Sequence, residues 1–333
     1  MRVSSSRSLG AGFRAGLVLL VAASCTAPRE DGIRRANLIT GSTGSSWYSI
    51  GSAIADRANI ILGGHPLNAV PGAGGVSNPA RLARASGDLG ISFASFLRAA
   101  YRGAPPYPVA YPELRHVATL IENKLHIVVS NRLGGQSLGE IVKGRIGARI
   151  GTGPPGSGEE FLLRELLLHY GATYDDLRAW GGRIDLLGTS ERGDAWRDGH
   201  IDVVVFSIND PSPVIAELLT VRSGVMVSVD DEARAALGTK WSALPRSVPA
   251  GTYPSQESEV KTLGLAAVLF TTADVQEKVV YAVTRALAEN KEYFETVHSG
   301  FKLWDPKQMP GGAEVPIHEG AMRYYKEKGW NAP

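Results

Sequence analysis

The stretch GTGPPGSGEE at residues 151–160 follows Arg149 and Ile150 and runs directly into FLLRELLLHYG. A strand that ends in small residues and turns straight into a helix leaves backbone N–H groups pointing into open space, where an anion can accept from them. Pro154 and Pro155 stiffen the turn and Ser157 suits an N-cap. Glu159 and Glu160 fall in the first helical turn, where the macrodipole favours negative charge. ANLITGSTGSSWYSIG at 36–51 repeats the design of apolar strand, Gly/Ser/Thr turn and helix. One such turn would merely connect a strand to a helix. Two of them facing each other form a clamp for a small anion.

Other glycine motifs fit less well. Gly151, Gly153 and Gly156 match G-x-G-x-x-G in form, but two prolines fill the spacer. The acidic residue expected about 20 positions on falls at Asp175 or Asp176, inside TYDDL, which reads as a helix start and not a strand end. A phosphate-cradling P-loop needs Gly-Lys-Ser/Thr, and here Gly158 is followed by Glu159.

At 333 residues, with 44% hydrophobic and 20% charged content, the chain has the size and balance of a two-domain globular protein. Lys and Arg total 35 against 33 Asp and Glu, and the only basic pair of note is Arg34 and Arg35, so nucleic acid is not an expected partner. Arg2, Arg7 and Arg14 precede the uncharged run AGLVLLVAASCTAP, which is too short to span a bilayer and has the layout of a secretory signal. Residues 1–25 are therefore expected to be a signal peptide, and the mature protein periplasmic or otherwise extracytoplasmic. The single cysteine, Cys25, ends VAASC, which resembles the lipobox of bacterial lipoproteins with Ala22 in place of the usual leucine. That reading lipidates Cys25 and tethers the chain to a membrane. The alternative is ordinary cleavage near Ala23 or Ala27.

From Ala36 onward strand and helix patterns alternate, as in an α/β domain with a largely parallel sheet. LIT, a helix over 47–61, LNAV, a helix behind Asn78 and Pro79, and DLGISF come first. Two apolar runs, RHVATLI and KLHIVVS, follow the proline-rich loop PPYPVAYP at 105–112. LGEIVKG, ARIG, FLLRELLLHYG, HIDVVVFSI, PVIAELL and GVMVSV complete a second unit by about residue 229. TLGLAAVLF at 262–270 is a further strand, and the tail is helical through 318–328.

In this order the segments resemble the TAXI family, the extracytoplasmic solute receptors of TRAP transporters. GSTGSSWYSIG is similar to that family's TGGTGG-x-Y-Y-P-L-G segment, GAGGVSNPARLARASGDLGIS to G-G-S-V-E-N-L…G-E-x-D-L-G, and GTGPPGSGEE to V-G-P-P-G-S-G-T-E. VPAGTYPSQESEVKTLG and IHEGAMRYYKEKGW resemble its late P-A-G-T-Y-P-G-Q and H-P-G-A-x-R-Y-Y-x-E-x-G segments. The resemblance implies a two-lobed type II periplasmic-binding-protein fold with a double-strand hinge. Residues 33–125 plus 263–333 would form the first lobe and 126–262 the second, with KLHIVVS and TLGLAAVLF as crossing strands. It also implies capture of a small organic acid or amino acid, such as glutamate or 2-oxoglutarate, for delivery to a TRAP-type membrane permease.

The residues themselves agree with an anion receptor. Thr43, Gly44, Ser45 and Ser46 offer hydroxyl and N–H groups on one side, and Gly156, Ser157 and Gly158 on the other. A carboxylate held by such donors needs no arginine. Trp47, Tyr48 and Phe93 are candidates for aromatic walls or, alternatively, for sheet-facing core, and Asn78 either caps its helix towards the cleft or only starts it. Trp47, Ser49, Ser77, Phe93 and Ser95 stand where the family usually has tyrosine, proline, glutamate, glutamine and aspartate. FSINDPSP at 206–213 is shorter than the family's F-V-T-A-G-x-P-N-P. These departures imply a ligand bulkier or more apolar than glutamate.

An enzyme on the same fold is the alternative. His65, His116, His126, His169, His200, His298 and His318 are scattered singly, with no H-E-x-x-H or G-x-S-x-G, and GTSERG at 188–193 is one residue out of step with a nucleophile elbow. No cofactor or metal is implied.

Overall fold

The computed structural model describes residues 34–330 apart from Gly87. The expected signal peptide and Cys25 lie outside the described residues.

Ten strands form one mixed sheet: β1 (Ala36–Ile39), β2 (Leu67–Val70), β3 (Leu89–Phe93), β4 (Leu114–Ser130), β5 (Arg149–Thr152), β6 (Arg183–Leu186), β7 (Val203–Ile208), β8 (Gly224–Met226), β9 (Leu244–Val248) and β10 (Val260–Thr272). Their order is β2-β1-β3-β10-β4-β7-β5-β6, with β8 on β4 and β9 on β10. The inner parallel strands β3 and β7 are covered on both faces, unlike β2 and β6 at the two ends of the order. β3 is buried along its whole length, and five of the six residues of β7 are buried.

The order contains the same design twice. Parallel β2, β1 and β3 meet antiparallel β10, and parallel β6, β5 and β7 meet antiparallel β4. Each long strand thus completes the half-sheet to which it does not otherwise belong, and the two pair with each other from Gly264↔Lys124 to Thr272↔Leu114. RHVATLI and KLHIVVS, expected as separate runs, are one strand of 17 residues. The polar triplet Glu122, Asn123 and Lys124 that divides them sits where the strand leaves one half-sheet for the other. Glu122 is held there by Arg246 at 2.7 Å and Lys124 by Asp210 at 3.0 Å.

Helices Ser46–Leu62, Glu277–Glu289 and Glu319–Glu327 pack in series beside the first half-sheet. In the second half, helix Gly158–His169 covers one face through Phe161, Leu163 and Leu166. Helices Thr189–Arg197 and Pro213–Val221 cover the other around Trp196, Ile215 and Leu218. The helix expected behind Asn78 is short: four α-helical residues, Asn78–Arg81, lead into a π-helical stretch, Leu82–Ser86.

Candidate functional site

β1 and β5 hold equivalent places in the two half-sheets, and each feeds a helix through a small-residue turn. Ser45 caps Ser46–Leu62, its Oγ accepting from the Tyr48 N–H at 3.3 Å. Ser157 caps Gly158–His169 in the same way, accepting from the Glu160 N–H at 3.2 Å. In each helix the first two N–H groups, of Ser46 and Trp47 and of Gly158 and Glu159, have no intrahelical acceptor. All four residues line one cavity of about 50 Å³.

Each turn also touches the other half of the molecule. The Gly156 carbonyl accepts from the N–H groups of Val76 at 3.0 Å and Ser77 at 3.1 Å, and the Ser42 and Thr189 hydroxyls are 3.4 Å apart. This approach requires glycine. Gly74, at φ +125°, lies against the Ser157 backbone, and a Cβ on Gly158 would overlap the Phe93 ring. The cavity is therefore closed over by both halves of the sheet.

Its walls combine small and polar residues with the rings of Trp47, Phe93 and Phe206. Trp47 and Phe93 are 6% and 2% exposed, with ring centroids 4.8 Å apart, so each is core on one side and cavity wall on the other. β7 adds Phe206, Ser207 and Ile208, and β4 adds Asn123. Arg192 enters from helix Thr189–Arg197 at 1% side-chain exposure, its guanidinium carbon 4.0 Å from the centre of the Phe206 ring. Its Nη1 donates to the Val205 carbonyl at 2.7 Å and its Nη2 to Glu159 at 2.9 Å. Burial pulls the guanidinium below its ordinary pKa, and the Glu159 carboxylate opposes that pull. Three buried polar atoms on lining residues have no partner: Trp47 Nε1, Arg192 Nε and Ser207 Oγ. Leaving such donors unmet is costly, roughly 1–3 kcal/mol for each group.

Of the residues expected at the site, Ser45, Ser46, Trp47, Phe93, Ser157 and Gly158 come together here. Thr43 and Gly44 do not; both are exposed, and Gly44 lies against Ser190 in a separate surface cleft. Gly156 ties its turn to the loop before Asn78 through its carbonyl and does not line the cavity. Asn78 does not cap towards the cleft. It is fully buried, and its Nδ2 donates to the carbonyls of Thr40, just past β1, and Ile91, at the middle of β3, at 2.8 Å each. Tyr48 is half-buried and belongs neither to the cavity wall nor to the core. Arg192, Asn123, Thr189 and Ser207 were not anticipated. The signal for Arg192 was the GTSERG turn, noted only for failing as a nucleophile elbow.

Among the described residues no group of three or more His, Cys, Asp or Glu is placed to hold a metal ion, and no helix is long and apolar enough to cross a membrane.

Similar folds occur among periplasmic solute-binding proteins. MatC of Rhodopseudomonas palustris, solved with bound malate, matches with a TM-score of 0.52 at 14% identity, over 90% of this chain and 98% of that one. The periplasmic binding protein BugD matches with a TM-score of 0.51 at 14% identity, over 89% and 98%. A protein of Bordetella bronchiseptica reaches 0.52 at 14% identity over 89% of both chains. At this identity the likeness is one of fold: an α/β architecture of the periplasmic-binding-protein type, in keeping with the two-lobed type II form. The sequence profile of the NMT1-like family matches residues 38–329, nearly all of the described chain, and the protein belongs to that family.

Proposed function

We propose that the protein is an extracytoplasmic receptor that closes two lobes over a small organic anion and hands it to a TRAP-type membrane permease, as TAXI receptors do. The observation that carries this reading is the set of buried, unpartnered donors, Trp47 Nε1, Arg192 Nε and Ser207 Oγ, around a cavity between two facing helix starts. Ser45, Ser46, Trp47, Phe93, Ser157 and Gly158 contact the ligand together with Ser207 and Arg192. Residues 33–125 with 263–333 form one lobe and 126–262 the other, and β4 and β10 are the hinge. The late segments VPAGTYPSQ and IHEGAMRYYKEKGW support the TAXI assignment, and the malate held by MatC supports a carboxylate. Export through residues 1–25 and lipidation at Cys25 complete the proposal, and mass spectrometry of the mature N-terminus tests them.

The deciding experiment is a thermal-shift screen over carboxylates, amino acids, neutral sugars and cations. A ligand present at 100 times its dissociation constant stabilises the native state by about 2.7 kcal/mol. A rise in melting temperature confined to acids is the expected result. Stabilisation by sugars or cations and by no anion would overturn the reading.

A further inference from the structure

The charges around the cavity can be counted. Among the described residues, Glu159 and Arg192 are the only charged side chains in its wall, and they neutralise each other at 2.9 Å. What remains is the positive end of two helices, each equivalent to about half an elementary charge. The first turn of Ser46–Leu62 carries no acidic residue, and the two acids in the first turn of Gly158–His169 are engaged, Glu159 by Arg192 and Glu160 by Arg164 at 3.3 Å. The sum is close to one positive charge, with no unpaired charged side chain in the wall to meet a second ionised group of either sign. The rest of the wall includes Trp47, Phe93, Phe206 and Ile208.

We infer that the ligand is a small monocarboxylate with an apolar tail, and that the Glu159–Arg192 pair excludes dicarboxylates and α-amino acids by cancelling the charges that would hold them. The inference rests on the anion-receptor reading and narrows it. Its physical basis is the cost of burying an ion without a partner. A dicarboxylate would bury a second carboxylate facing no free cation, and an amino acid would bury an ammonium facing no free carboxylate. The ligand is thus more apolar than glutamate, as the departures Trp47 and Phe93 suggested.

Isothermal titration calorimetry on the purified protein tests this with shape-matched pairs: 2-methylpropanoate against alanine, in which an ammonium replaces a methyl group, and pentanoate against succinate. The monocarboxylates should bind at least a hundredfold more tightly than their doubly ionised counterparts. Alanine or succinate binding as tightly as its partner overturns the inference and leaves the anion receptor intact. Sugars or cations binding where no acid does overturns both. Glu159→Gln frees the Arg192 charge at nearly constant shape, and it should shift preference at least tenfold towards succinate while 2-methylpropanoate still binds. A folded Glu159→Gln protein with unchanged preference removes the pair as the source of selection. If that variant does not fold, the native panel decides alone.

Discussion

Ser157 carries two roles on one oxygen. Its lone pair accepts the Glu160 N–H and so caps a helix, while its O–H remains free to donate into the cavity it lines. Ser157→Ala should therefore lower stability by about 1 kcal/mol through the lost cap. It should also weaken ligand binding by up to about tenfold, since a neutral hydrogen bond contributes roughly 0.5–1.5 kcal/mol. Gly158→Val should weaken binding by more than that, because its Cβ meets the Phe93 ring and displaces the wall itself. Titration of both variants with any acid that binds the native protein checks this; unchanged affinities would place the acid elsewhere. Ser157 and Ser45 were legible because a cap is a local pattern. Arg192 was not, because in GTSERG it sits beside Glu191 and looks like one more solvated charge. Only the fold brings Glu159, 33 residues away, and Phe206 of β7 against it. Asn78 was misread for the same reason: its partners Thr40 and Ile91 lie on two other segments.

Strand β4 shows where pattern reading stops. Its apolar runs were legible on both sides of Glu122–Lys124, where charged side chains are satisfied by Arg246 and Asp210 from distant segments. Two apolar runs parted by a polar triplet cannot distinguish such a crossing from a loop between two strands. The same strand supplies a pH response. His116 and His126 are both buried, and burial lowers each imidazole from 6.5 to about 4. His126 sits 3.0 Å from the Tyr253 hydroxyl, and His116 Nε2 is 2.9 Å from the Met309 carbonyl. Because the folded values lie below the unfolded ones, the unfolded chain takes up protons first on acidification. The stabilisation is complete above about pH 6.5 and is lost as pH falls towards 4, by up to about 3 kcal/mol for each histidine. Urea midpoints should fall between pH 7 and pH 4.5, and His126→Gln should flatten part of that slope. Buried Asp202 does not contribute in this window. Burial raises its pKa, but Arg149 and Arg132 outweigh that and hold it far below the usual carboxylate range, so its contribution is lost only in stronger acid. An equal slope in the variant would show that the imidazole titrates freely.

The α/β class and the repeated turn were legible in the chain, since each rests on apolar runs and their order, whereas the crossing of a middle strand with a late one was implied by the family resemblance alone. The contact between the second turn and the loop at 74–77 was not, because it depends on Gly74 and Gly156 meeting partners far away in sequence. Two half-sheets joined by two long strands favour rotation about the crossing near Lys124 and Gly264. Small-angle scattering should register a smaller radius of gyration with saturating ligand than without, and identical curves would indicate a rigid pocket. The exchange of long strands also sets a schedule for synthesis. The half-sheet begun at Ala36 receives its fourth strand only with β10, which ends at Thr272. At roughly 5–20 residues per second, the ribosome needs on the order of tens of seconds to cover that distance. For the whole of that interval the nascent chain has no finished sheet, and a translocation channel that accepts only unfolded polypeptide can thread it before it locks.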